Sequence, residues 1–244
     1  MKYLFFVSWF RAKEKNLADQ TDLDRMIGAS SLEESFKVLN DTDYAGFLSG
    51  RTYQEIEQVI SLEKQDLKKT LEQMGMDKPA LDFLFLKNDL IMLAGEIKEK
   101  KLNSLEKSVF INKYSDLARK LIEKKEIDSL EQIDDLVINY YFKKAIRFCQ
   151  TSQEKQLANI FKKYWLLIKN KKNQNLKTRD DLLIEMENKI IEKSREKIDG
   201  IMPILAFFIK KTRAQYFVKT VLSAKRIGLN STETYSLIEK TRTL

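Results

Sequence analysis

The sequence predicts an all-α fold built from helical bundle modules, and three observations predict it. Apolar residues recur at helical spacing along most of the chain, with no convincing alternation of the kind a half-buried strand shows. Gly and Pro are scarce, seven and two among 244 residues, whereas sheet proteins need many tight turns. Capping chemistry also recurs, with Ser-Leu-Glu at Ser31, Ser61, Ser104 and Ser129.

The elements follow in order. The apolar run Tyr3–Val7 resumes at Trp9 and Phe10 and continues into Arg11-Ala-Lys-Glu-Lys, which reads as one first helix. Ser30 and Ser31, with Glu33 and Glu34 three residues after each, start another helix. Leu32, Phe36 and Leu39 give it one apolar face, and Asn40-Asp41-Thr42-Asp43 stops it through side chains that bond the local backbone. The same polar residues are placed to cap a further helix that buries Tyr44, Phe47 and Leu48. Tyr53, Ile56, Ile60, Leu67, Leu71 and Met74 share a face, and Gly75 and Lys78-Pro79 end that element. The spacing then predicts helices over Asp82–Lys98, Leu105–Lys124 and Ile133–Phe148, and a wide stripe from Leu157 to Ile168. Leu182, Leu183, Met186, Ile190 and Ile191 begin another. The last long helix runs from Pro203, tolerated in a first turn, to about Arg226, with Gly228 as a left-handed cap. Ser231 starts a short terminal helix.

Composition narrows the function classes. The chain has no histidine, which removes the usual general base and the commonest metal ligand. Cys149 is the sole cysteine, so neither an intrachain disulfide nor a cysteine zinc cluster is available. Asp134-Asp135 and Asp180-Asp181 are carboxylate pairs, but adjacent residues diverge on a helix, and acids near helix starts are ordinarily stabilising. No P-loop or glycine-rich cradle is present. The reading is therefore non-enzymatic, with no cofactor and no metal. Neither Tyr3–Phe10 nor Ile201–Ile209 reaches the roughly 18–20 residues that span a bilayer. The apolar start lacks a small-residue cleavage site and reads as the first helix of a cytoplasmic protein.

Charge is uneven. Net charge is +8, yet Tyr141–Arg179 holds eleven Lys or Arg against one acid, Glu154. Solvated helix faces account for much of this. The sharper reading takes Lys162, Lys163, Lys169, Lys171 and Lys172 as a basic surface toward anionic lipid headgroups or an acidic partner. Lysines interleaved with Phe161, Tyr164 and Trp165 also fit an RNA-binding helical protein. Those aromatics lie on one helical face, and core packing explains them better than base stacking.

Order of residues adds what spacing does not. Arg11-Ala-Lys-Glu, Asp22-Leu-Asp-Arg-Met-Ile, Ser31-Leu-Glu-Glu and Asp41-Thr-Asp-Tyr resemble the N-terminal region of a family of rotary-motor proteins. That family is the C-type central-stalk adaptor of the bacterial and archaeal V/A-type rotary ATPases, called the d-type adaptor in eukaryotic V-ATPases. Leu86-Lys-Asn-Asp-Leu-Ile is similar to a middle helix of that family, and Pro203–Lys211, Val218–Lys225 and Gly228-Leu229 to its last two helices. The motif positions are Arg11, Glu14, Asp41, Thr42, Tyr44 and Asn88. The resemblance implies a single helical region over 1–244, with modules near 1–80, 81–178 and 179–244, forming a funnel. It also implies a central-stalk role without catalysis, between the shaft subunits of the head and the proteolipid rotor ring, on the cytoplasmic side of the membrane, in proton or sodium transport. Two departures point to a shortened form: sequence is missing between Lys172 and Thr178, and Trp165 and Leu166 stand where the family has Asp and Asn character.

Overall fold

The computed structural model describes residues 2–100, 130–170 and 178–242, and these are all-helical. The helix predicted over Leu105–Lys124 lies outside them, as do Lys171 and Lys172. The chain forms two compact units, one drawn from 1–76 and 174–244, the other from 77–173.

The first unit contains α1 (Leu4–Glu14), α2 (Gln20–Gly28), α3 (Leu32–Lys37), α4 (Ile56–Gln73), α8 (Arg179–Ser194), α9 (Ile201–Arg226) and α10 (Ser231–Arg242). The second contains α5 (Lys78–Lys100), α6 (Leu130–Thr151) and α7 (Lys155–Lys169).

In the first unit α9 is the organising helix. All residues of Ile201–Ile209 are buried, so its first half is apolar all round and must lie inside. α1 packs on it through Phe10, whose ring centroid is 4.7 Å from that of Phe207 and 5.7 Å from Phe208. α8, α2, α3 and α10 pack on the same helix. A core of Leu23, Met26, Ile27, Leu39, Tyr44, Val59, Val218 and Val221 joins the N-terminal elements to its second half.

Caps set the ends. Asp19 and Asp22 exchange hydrogen bonds at the start of α2, and Thr178 and Asp181 do so at the start of α8. At α3 the cap is Ser31, which accepts from the Glu34 N–H at 3.1 Å. The Glu34 carboxylate then reaches one residue further back, to the N–H and hydroxyl of Ser30. α4 and α9 close with the same motif. Gly75 and Gly228 take φ of +81° and +80°, and the following N–H groups of Met76 and Leu229 each reach back to Leu71 and Ala224, at 3.0 Å.

Two local expectations are corrected. Tyr44–Leu48 does not begin an α-helix; Ala45–Phe47 is a single 3₁₀ turn, followed by a left-handed Gly50. Tyr44 and Leu48 are still buried. Lys78-Pro79 does not end an element but opens α5. Asp77 accepts from the Ala80 N–H at 2.9 Å, and Pro79 occupies the first turn, where no N–H is needed.

In the second unit α6 packs against both α5 and α7. Leu86, Leu90, Leu93, Ala94 and Ile97 of α5 meet Ile133 and Val137 of α6. Nearer the other end, Phe83 stacks on Phe148 at 4.3 Å, and Phe161 meets Phe83, Tyr141 and Phe142 edge-on. Cys149 is buried there, and burial pushes its thiol well above the ordinary value, which makes it a packing residue and not a nucleophile.

Candidate functional site

Of the motif positions near the N-terminus, Glu14 and Tyr44 meet α9, and Arg11 meets the chain just before it. Glu14, at the end of α1, pairs with Lys210. The guanidinium of Arg11 donates to the Lys197 carbonyl at 2.5 Å. The Thr42 hydroxyl donates to the Leu39 carbonyl at 2.7 Å and fixes the bend that turns Tyr44 inward. Asp41 differs from these, facing outward to Arg25 at 2.6 Å. Asn88 lies half-buried on α5, in the other unit.

The centre of the arrangement is a buried ion cluster. Lys211 pairs with Asp43 and, at 2.9 Å, with Glu63 of α4. The three side chains are only 5%, 10% and 9% exposed. The Lys211 ammonium also sits 5.5 Å from the centroid of the Tyr44 ring. The backbone N–H of Asp43 donates to the Asn16 carbonyl at 2.8 Å, which ties in the chain leaving α1. One ammonium thus holds the turn after α3, α4 and α9 together.

Two carboxylates share that one cation, and Asp43 Oδ1 and Glu63 Oε2 are buried without a hydrogen-bond partner. Burial holds the Glu63 carboxyl above the usual glutamate range, against the opposing pull of Lys211 and Lys13 and with the added push of Asp43. The folded state therefore binds this proton more tightly than the unfolded chain. Its stabilising contribution is complete below the ordinary glutamate pKa of about 4.3 and is lost as pH rises through the raised folded value. Glu63→Gln removes the titration and leaves Lys211 paired with Asp43. Relative to the variant, the wild type should lose stability as pH rises above the ordinary glutamate range, as urea unfolding at a series of pH values would read. A flat difference across the series would refute a raised Glu63 carboxyl.

Sequence reasoning names Asp41, Thr42 and Tyr44, gives Asp43 only a local role in stopping a helix, and misses its pairing with Lys211 and the part of Glu63. The signal is present. Glu63 falls between Ile60 and Leu67 on the apolar stripe of α4, and Lys211 precedes Gln215 and Val218 on that of α9. Charges placed on opposite buried stripes need each other.

The lysines expected to form a basic surface are on α7. Lys162, Lys163 and Lys169 are exposed, on a helix with no acidic residue, beside the exposed Leu166 and Leu167. Phe161 and Tyr164 point into the core. Trp165 is half-buried, its indole N–H donating to Asn139 at 3.0 Å and its face covered by the Lys169 ammonium at 4.1 Å. The outward face of α7 is therefore lysine and leucine, and its aromatics are already engaged.

Among the described residues no group of three or more Asp, Glu or Cys is placed to hold a metal ion. Nor is any described helix long and apolar enough to cross a membrane. The all-α class is the level at which the fold defines this protein. No protein-family model matches the chain, and no curated protein matches it.

Proposed function

We propose that this chain is a non-catalytic central-stalk adaptor of a V/A-type rotary ATPase, joining the shaft of the catalytic head to the membrane rotor ring. One observation carries the reading. The N-terminal and C-terminal segments on which the resemblance rests are packed together in one unit, with Glu14 on Lys210, Asp43 on Lys211, and the Lys225 ammonium on the Ala29 carbonyl at 2.7 Å. Tyr235 of α10 closes the same contact by donating to Asp24 at 2.9 Å. Such an adaptor has no bond to make or break. It transmits torque, which requires a stiff body tied across distant chain segments, and the cluster around Lys211 supplies ties of that kind.

The exposed lysines of α7 are the surface toward an acidic shaft or anionic headgroups, on the cytoplasmic side of the ring. RNA binding is served less well, because Phe161 and Tyr164 have no free ring face to stack a base.

The test is co-purification with shaft and ring subunits at low salt. Both are expected to be retained, and retention of neither would overturn the assignment. Reversing Lys162, Lys163 and Lys169 to glutamate should reduce assembly at low salt, with the difference shrinking as ionic strength rises. Equal yield across the salt series would assign these lysines to solvent.

A further inference from the structure

The first unit carries a cleft of about 390 Å³, lined by Arg11, Glu14, Lys15, Ser194, Arg195, Pro203 and Lys210. Its cations come from three helices far apart in sequence: the end of α1, the end of α8, and the middle of α9. Four are positive, and the single acid, Glu14, is already matched by Lys210.

An ordinary account exists for part of this. Lys15 is the C-terminal cap of α1 and Arg195 that of α8, and cations are stabilising at the negative end of a helix. The magnitudes show what remains. Each helix end carries roughly half a negative charge. Two such ends offset about one of the three net positive charges of the lining, which leaves about two.

We propose that this cleft binds a small anion bearing a diphosphate group. At neutral pH a single phosphate carries about one to two negative charges and a diphosphate about three, so the diphosphate offsets the residual charge in full, and the volume lies within the ordinary range for small-molecule sites. Among the described residues no aromatic side chain lines the cleft, so recognition rests on the phosphates and not on a base. The framework is partly set in advance. The Lys197 carbonyl holds the Arg11 guanidinium, and Glu14 holds Lys210. The side chains of Lys15 and Arg195 are exposed at the rim and make no hydrogen bond to a described residue. These two are the groups free to close on an anion. The inference stands apart from the shaft-and-ring reading and uses none of the α7 lysines.

Calorimetric titration of the full chain with inorganic phosphate, pyrophosphate and ADP tests it. Pyrophosphate should bind one per chain and more tightly than phosphate. ADP binding as pyrophosphate does would make a nucleotide's diphosphate end the same ligand, and ADP failing to bind would restrict the site to the inorganic anion. A charge-assisted hydrogen bond contributes enough that losing one weakens binding by about tenfold. Lys15→Gln with Arg195→Gln should therefore weaken pyrophosphate binding by at least that factor. Lys37→Gln with Lys69→Gln, the same charge removed from exposed positions of α3 and α4 outside the cleft, should leave it unchanged. Absence of saturable pyrophosphate binding, or equal loss in both double variants, would overturn the proposal. Both altered residues are exposed and bond no described side chain, and circular dichroism checks that each variant is folded.

Discussion

Lys211→Met is expected to destabilise the protein by about 3–5 kcal/mol, the cost of removing one partner from a buried ion pair. The side chains are similar in length, so little packing is lost. What changes is charge. Asp43 and Glu63 would remain buried with no cation between them, and each already has one oxygen without a partner. Urea unfolding at pH 7 would read the loss directly. Two comparisons isolate its cause. Lys211→Met combined with Glu63→Gln should recover part of the stability, because only one carboxylate is then left uncompensated. Lys210→Met, one residue away, should cost less than about 1 kcal/mol, because the Lys210–Glu14 pair is about one third exposed and solvent screens it. A Lys211 variant no worse than the Lys210 variant would mean that the cluster does not hold these helices together.

That pair of neighbours also shows what is legible in the sequence and what is not. Lys210 and Lys211 are identical in type and adjacent in order, yet one is a surface pairing and the other lies at the centre of the fold. Helical phase separates them, since Lys211 is in register with Gln215 and Val218, both buried. Phase, however, needs a partner helix to become a contact, and Glu63 is nearly 150 residues away in the chain. The helices themselves are easy to read, because apolar spacing is local. So are ends written in local chemistry, such as Gly228 after α9 and Pro203 in its first turn. Pro79 is easily misread because the same residue stops one helix and opens the next. Only Asp77, which supplies the cap, decides between the two. Tyr44–Leu48 misleads for a related reason: its buried residues are spaced for a helix, but the chain there is committed to a 3₁₀ turn and a left-handed Gly50.

Phe161→Ala is expected to cost about 3–5 kcal/mol, the range for truncating a fully buried aromatic to alanine. Phe161 is completely buried and contributes to three edge-on ring contacts, with centroids at 6.2 Å from Phe83, 5.9 Å from Tyr141 and 6.2 Å from Phe142. Those partners come from both α5 and α6, so truncation opens a void where α7 meets both. The rings cannot close it by small rotations. Phe83 is already stacked on Phe148, nearly parallel, with 11° between planes. The chain has two tryptophans, Trp9 in the first unit and Trp165 in the second. A Trp9→Phe background therefore makes fluorescence a reporter of the second unit alone. In that background Phe161→Ala should shift the Trp165 transition to much lower urea, while Lys162→Ala, on the exposed face, should move it by less than about 0.5 kcal/mol. The comparison bears on function as well as stability. The RNA-binding alternative needs Phe161 at the surface, where truncation would cost little stability and would weaken nucleic-acid binding. A small shift would favour that alternative, and a large one would return the aromatic residues of α7 to the core and leave its lysines and leucines as the face presented to partners.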